Sequence, residues 1–340
     1  MTTRLALAFG VIVPFTAFAQ SEALPAPHFH HLHLNSTHPE AAIDFYIKQF
    51  PSTSKTIFNG APALKSGNVL ILFNQVRTPP ALAPQTAIWH FGWHVTDVRA
   101  NMARYQKDNV KLLPLYTSDE GGSVWVSSDT WPGTGGVLGL TKAQIADAKT
   151  KGVQPAGGAG FAYLQGPDGA IIEYQGNMPA ERFNHVHMYW KDPFCAQNWY
   201  AQHLNARAMT PTGKPARTEA ACHAERAADR TWPALEREGM YRAPSAGVAF
   251  AAEGSSGGDD VTFNNYIQQS DVPLASTRGH LADHVGLSVE NLDAWIAKLR
   301  SEGVTLLSKK AYKIGSQRAF MIEGPSKEVI ELIEFRRLHL

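Results

Sequence analysis

Histidines and glutamates recur along this 340-residue chain at spacings that suit strands. His31 and His33 lie two positions apart, as do His185 and His187, so alternation along an extended backbone puts each pair on one face. His94 follows His90 by four. In Asp283-His284-Val285-Gly286-Leu287-Ser288-Val289, residues 284, 286 and 288 share a face. Glu173 and Glu331 each fall six positions after a proline, within Gly166-Pro167-Asp168-Gly169-Ala170-Ile171-Ile172-Glu173 and Gly324-Pro325-Ser326-Lys327-Glu328-Val329-Ile330-Glu331. Two imidazoles and a carboxylate on a rigid sheet suit a divalent first-row metal, with positions left open for water or a bidentate oxygen substrate. A neutral histidine beside such a centre can move protons at neutral pH.

The elements that position these residues repeat. From Ala282 the pattern reads strand, then a helix capped by Asn291 or Asp293 with Leu292, Trp295, Ile296 and Leu299 at helical spacing, then Gly303 as a stop and Val304–Leu307 as a return strand. Arg318–Ile322 and Glu328–Phe335 complete this fourth module. The first module opens at His28–Asn35, continues through a helix with Ala42, Ile43, Phe45, Tyr46 and Phe50, and adds strands at Lys55–Asn59 and Gly67–Asn74. The second opens at Ile88–Val95, with Asp97 capping a helix that carries Val98, Met102 and Tyr105. Val110–Pro114 is its return strand, and Gly160–Leu164 and Ala170–Tyr174 close it. The third opens at Asn184–Tyr189, with Phe194, Trp199, Tyr200 and Leu204 on a helix and strands at Val248–Ala251 and Val261–Ile267. An internal repeat of this kind outweighs any local motif. Paired in sequence order, the modules give domains over 28–180 and 181–340. Insertions are expected at 116–160, with a helical piece near Lys142–Lys149, and at 206–244.

Composition bounds the function class. With 44% hydrophobic residues, 18% charged residues and a net charge of +1, the chain has an ordinary globular core and no basic field for nucleic acid. Arg4, the apolar run from Leu5 to Phe18 and Ala17-Phe18-Ala19 read as a secretory signal over 1–19, cleaved before Gln20, with 20–27 as linker. The mature protein is then expected in the periplasm or secreted, with no membrane span. Cys195 and Cys222 are the two cysteines. In an oxidising compartment they could bridge, or remain two separate thiols.

The repeated strand–helix–strand–strand–strand module, together with Trp89-His90-Phe91-Gly92-Trp93, Asp283-His284-Val285-Gly286-Leu287 and the two proline-to-glutamate motifs, resembles the vicinal oxygen chelate superfamily of glyoxalases, bleomycin-resistance proteins and extradiol dioxygenases. The resemblance covers nearly all of the mature chain. It implies an α+β fold in which four βαβββ modules pair into two half-open barrel domains. It also implies metal ligands near the start of a module's first strand and on its last. By position these are His31, His90 and Glu173 in the first domain, and His185, His284 and Glu331 in the second. Glyoxalase-type sites use a fourth protein ligand; alignment of the closing motifs puts Ile71 at that place in module one, and module three has Phe263-Asn264-Asn265 there. Three ligands per pocket are more like an open non-haem site.

The function expected is an exported enzyme holding Fe²⁺, Mn²⁺ or Zn²⁺ and chelating vicinal oxygens of a small substrate. Its chemistry would be dioxygenase-like ring cleavage or that of a lyase or isomerase, with His33, His187 and His94 as acid–base candidates. Either histidine of each His-x-His pair could be the ligand. The alternative is a resistance-type protein that binds a small molecule without turnover. Partners are limited to that molecule, with room for a homo-oligomer.

Overall fold

The computed structural model describes residues 24–118, 122–129, 146–147, 150–153, 159–210, 217–223, 245–255, 258–268 and 272–335. The signal segment lies outside these residues, as does most of the expected helix near Lys142–Lys149.

All four modules form. The first comprises β1 (His28–Ser36), α1 (Pro39–Gln49), β2 (Thr53–Phe58), β3 (Ala61–Ser66) and β4 (Val69–Gln75). The second comprises β5 (Ile88–His94), α2 (Val98–Lys107), β6 (Leu112–Leu113), a separate hairpin β7 (Tyr116–Ser118) and β8 (Gly122–Val124), then β9 (Phe161–Gln165) and β10 (Ile171–Gln175). The third has β11 (Arg182–Trp190), α3 (Pro193–Leu204), β12 (Arg207–Met209), β13 (Ser245–Ala251) and β14 (Asp260–Ile267). The fourth has β15 (Ala282–Val289), α4 (Leu292–Ser301), β16 (Tyr312–Ile314), β17 (Gln317–Glu323) and β18 (Val329–Glu334).

Helix ends follow local chemistry. Asp97 caps α2 by accepting from Arg99 N and Ala100 N, both at 2.9 Å. Asn291, not Asp293, caps α4 through Ala294 N at 3.1 Å, while Asp293 pairs with Arg318. Two return strands are shorter than the pattern suggests. The second module keeps only Leu112–Leu113: Val110 N bonds back to Tyr105 O at the end of α2, and Pro114 has no N–H to continue a ladder. In the fourth, 304–307 touches β17 through a single bridge, Leu306 to Ile322, and a bend at 309–310 delays strand formation to Tyr312.

The strands make two curled eight-stranded sheets, ordered β16-β17-β18-β15-β1-β4-β3-β2 and β12-β13-β14-β11-β5-β10-β9-β6. Each module's first and last strands are parallel neighbours, and two modules join through their first strands, antiparallel. The pairing is not the one expected from sequence order. Module one pairs with module four, and module two with module three, so the split into 28–180 and 181–340 does not follow the sheets. Burial accounts for this. The faces of both sheets that carry no paired histidines share one core with the helices. Phe29 packs on Phe183 and Phe263, and Phe50 of the first module stacks on Trp93 of β5 at 4.2 Å.

Candidate metal centres

Each sheet carries one cluster at its central antiparallel pair. On the second sheet, His187 lies opposite His90 and His185 opposite Gly92, while Glu173 is the parallel partner of Gly92. On the first, His33 lies opposite His284 and His31 opposite Gly286, with Glu331 the parallel partner of Gly286. The same pattern therefore occurs twice: His-x-His on one strand, His-x-Gly on the next, Glu beside the glycine. The glycines are required by space. A Cβ at residue 92 would stand 2.5 Å from His185 Nε2, and one at residue 286 would run into the His31 ring.

On the second sheet one donor atom from each of His90, Glu173, His185 and His187 lies within 4.8 Å of all the others. His90 Nε2 is 3.1 Å from Glu173 Oε2, His187 Nδ1 3.7 Å from the same oxygen, and His185 Nε2 3.6 Å from Glu173 Oε1. On the first sheet His31, His33 and His284 cluster likewise, and Glu331 Oε2 lies 3.5 Å from His31 Nε2 and 3.9 Å from His284 Nε2. Donors bound to one ion at about 2.1 Å stand roughly 3–3.5 Å apart, so both sets need only a small adjustment to hold one. His185 Nε2, His187 Nδ1, His31 Nε2 and His284 Nε2 are buried with no hydrogen-bond partner. Buried nitrogens aimed at a shared carboxylate without a partner of their own fit a cation.

Two β-bulges at each pair turn a further side chain toward the cluster. One falls between Phe29 and His31 and between Phe183 and His185; the other between His33 and Leu34 opposite Ala282, and between His187 and Met188 opposite Ile88. The extra residues are therefore His30, Asn184, Asp283 and Trp89. His30 Nδ1 is 2.9 Å from His31 Nδ1, Asn184 Oδ1 is 2.6 Å from His185 Nδ1, and Asp283 Oδ1 is 2.7 Å from His284 Nδ1. Trp89 instead lays its ring 4.3 Å from that of His90, edge to face. The glutamates are held too: Tyr312 donates to Glu331 and Tyr163 to Glu173. Such outer partners fix the orientation of a ligand and its tautomer.

Burial keeps His31, His33, His90, His185 and His187 neutral, the form that ligates. It pushes His90 and His33 down to about 3, and His31, His185 and His187 well below the ordinary imidazole value. Burial pushes the Glu173 and Glu331 carboxyls up, and the hydrogen bonds from Tyr163 and Tyr312 respectively oppose this. Asp283 is also raised by burial, but hydrogen bonds from His284 and the Gly279 N–H outweigh that and leave it at about 2.

All six expected ligands lie in the clusters, but grouped differently. His90 and Glu173 meet His185, not His31; His284 and Glu331 meet His31, not His185. The regrouping is the direct result of the module pairing. His33 and His187 face the clusters as additional donors. His94 lies outside both groups, bonded to Gln175 near Arg182 and lowered to about 4 by burial and that guanidinium. The place of a fourth carboxylate is shifted by one in module one and falls within the expected Phe263-Asn264-Asn265 in module three. The partner of His33 on β4 is Leu72, and the partner of His187 on β14 is Asn264, whose amide lies 2.9 Å from His187 Nε2. Ile71 is buried in the core. Sequence reasoning passed over His30, Asn184, Asp283 and Trp89, although each immediately precedes a ligand candidate. Strict alternation assigns such neighbours to the opposite face, and only a bulge brings them back.

A cavity of about 250 Å³ adjoins the second cluster, with His90, Trp89, Tyr189 and Ile171 in its wall. Tyr189 shares a strand face with His187, and Ile171 with Glu173. Trp89 and Tyr189 stack at 4.9 Å, and Leu82, Gln85, His280 and Leu281 line the side toward the first sheet.

Residues 182–332 match the Glyoxalase/Bleomycin resistance protein/Dioxygenase superfamily. The fold is similar to that of glyoxalase I from Zea mays, with a TM-score of 0.58 at 12% identity over 91% of this chain and 92% of that one. A putative dioxygenase from Bacillus subtilis has a TM-score of 0.50 at 10% identity, over 92% of this chain and 86% of that one. No curated protein matches the sequence. The family match is thus confined to residues 182–332, while the chain's two curled sheets as a whole have the glyoxalase-like fold. Within that fold, its buried His/Glu clusters could each hold a divalent metal.

Proposed function

We propose that the protein is a divalent-metal-dependent enzyme acting on a small substrate with vicinal oxygens, and that the second-sheet cluster is its reacting centre. The observation that carries this reading is the position of His90, which belongs both to the four-donor cluster and to the wall of the cavity. His90, His185 and Glu173 would hold Fe²⁺, Mn²⁺ or Zn²⁺, which when bound supplies Lewis-acid stabilisation of an enolate- or catecholate-like anion. Trp89, Tyr189 and Ile171 exclude water and seat the apolar part of the substrate. His187 is held at Nε2 by the Asn264 amide; with that amide turned so that its oxygen accepts from Nε2–H, the neutral ring offers Nδ1 to accept a proton or serve as a fourth donor. His33 has the matching place on the first sheet.

The test is to load apoprotein anaerobically with each metal and assay ring cleavage of catechols and isomerisation of hemithioacetals, with and without chelator. Chelator-sensitive turnover supports the reading. Stoichiometric metal with tight binding of such compounds and no turnover would instead make this a resistance-type binding protein. Absence of stoichiometric metal would remove the proposal altogether.

Export is part of the same proposal. The signal-like segment before Gln20 motivates it, and the bridge between Cys195 and Cys222 fits an oxidising compartment. Mass spectrometry of the mature protein should find an N-terminus within a few residues of Gln20. An intact start at Met1 or Thr2 would count against it.

A further inference from the structure

The two clusters differ in charged support at one equivalent position. The bulge facing His33 and Leu34 turns Asp283 toward His284, whereas the matching bulge facing His187 and Met188 turns Trp89 toward His90. Asp283 Oδ1 is 2.7 Å from His284 Nδ1, and its other oxygen accepts from Gly279 N at 2.7 Å and Asn35 Nδ2 at 3.2 Å. The carboxylate is thus itself held in place on three sides. His90 Nδ1 is buried with no hydrogen-bond partner.

The other donors differ in no charged partner: His187 has the neutral Asn264 amide where His33 faces Leu72. His31 and His185 each have a neutral neighbour on Nδ1, and both glutamates have a tyrosine. The histidine contributed by β15 or β5 is therefore the donor whose support differs in charge. A carboxylate on Nδ1 fixes the proton there, presents Nε2 to a metal and makes that nitrogen a stronger donor. Its negative charge also offsets the cation's.

We propose that Asp283 is a positioning residue that makes the first-sheet cluster the tighter of two metal sites, while Trp89 gives the second site a substrate wall in place of that support. The proposal rests on the reading of both clusters as metal sites. The first-sheet ion would load first and leave last.

Titration of the full apoprotein with Co²⁺, followed by calorimetry and by the visible d–d bands, tests this. Two classes of site are expected, differing at least about tenfold in affinity. Glu331→Ala should abolish the tight class and Glu173→Ala the weak one. Asp283→Asn keeps the size of the side chain and should weaken the tight class about 10–100-fold, the range for loss of an outer-shell partner, without moving the weak class. Should Asp283→Asn lower the melting temperature of the apoprotein, Asp283→Glu provides the second comparison, and recovery of tight binding is expected. Equal affinities in the parent protein, a tight class lost in Glu173→Ala, or a uniform shift of both classes in Asp283→Asn would overturn the proposal. A parent protein that takes up no Co²⁺ would defeat the metal-site reading itself, and this inference with it.

Discussion

Gly92 and His185 are cross-strand partners, and the imidazole occupies the space a side chain at residue 92 would need. Glu173 Oε1 is 3.6 Å from the same ring, so glycine, histidine and glutamate are fitted to one another. Gly92→Ala should displace the His185 ring, since the added Cβ would also meet the Glu173 carbonyl at 2.5 Å. The expected outcome is loss of about one metal ion per chain by elemental analysis, with the first-sheet ion retained. Unchanged metal content in a folded Gly92→Ala protein would show that the His185 ring is not a ligand.

Removing a carboxylate takes both charge and a bond from its own cluster. Glu173→Ala should reduce turnover by orders of magnitude and release the second-sheet ion, as expected for a direct ligand at the reacting centre. Glu331→Ala should release the other ion with a smaller effect on kcat. Steady-state kinetics and metal stoichiometry on the two variants check this, and the reverse ranking would move the reacting centre to the first sheet.

Acid should destabilise the metal-free protein. His30 and His94 are pushed down to about 4, and His33 and His90 to about 3, against an ordinary value of 6.5. Above pH 6.5 these groups are neutral folded and unfolded alike. Below it the unfolded chain takes up protons that the folded one refuses, so stability falls as pH drops from 6.5 toward about 3. Burial raises Glu173, Glu328 and Glu331, and these act in the opposite sense, adding stability as pH falls toward the ordinary carboxylate range. The depressed histidines outnumber them. Thermal melts of apoprotein should therefore give a lower Tm at pH 5 than at pH 7.5; a flat or rising profile would contradict this burial pattern.

Cys195 in α3 is bridged to Cys222, 27 residues on. Closing a loop of that length is worth about 2–4 kcal/mol. Cys195→Ser with Cys222→Ser should lower Tm by several degrees and leave metal content unchanged, because the bridge lies apart from both clusters. Peptide mapping without reductant that recovers two free thiols from exported protein would refute the link.

The modules were legible because each repeats one pattern of apolar spacing, caps and turns, from His28–Ser36 through Val329–Glu334. Leu292, Trp295, Ile296 and Leu299 are all buried, as their helical spacing implies. Partner choice was not legible. The strand faces of modules one and three carry the same His-x-His pattern, so His90 has equivalent partners in His31 and His185 until the sheets form. What separates them is the fit of particular core groups, such as Phe50 on Trp93 and Phe29 on Phe183, which no periodicity encodes. The bulges were equally hidden, since Asp283 and Trp89 sit at positions that strict alternation turns away from the ligands.

The first sheet joins β1 to β15, so its cluster unites residues 31 and 331 from opposite ends of the chain, while the second joins neighbouring modules. During synthesis the second cluster is complete once residue 187 has emerged and its strands have paired. The first module must meanwhile wait, with one edge of β1 open, until the last strand arrives. Long-range pairing of this kind slows folding and leaves a strand edge exposed to other chains. A chain cut short before β15 would therefore retain one whole His/Glu cluster and carry half of another, together with an uncovered edge ready for aggregation.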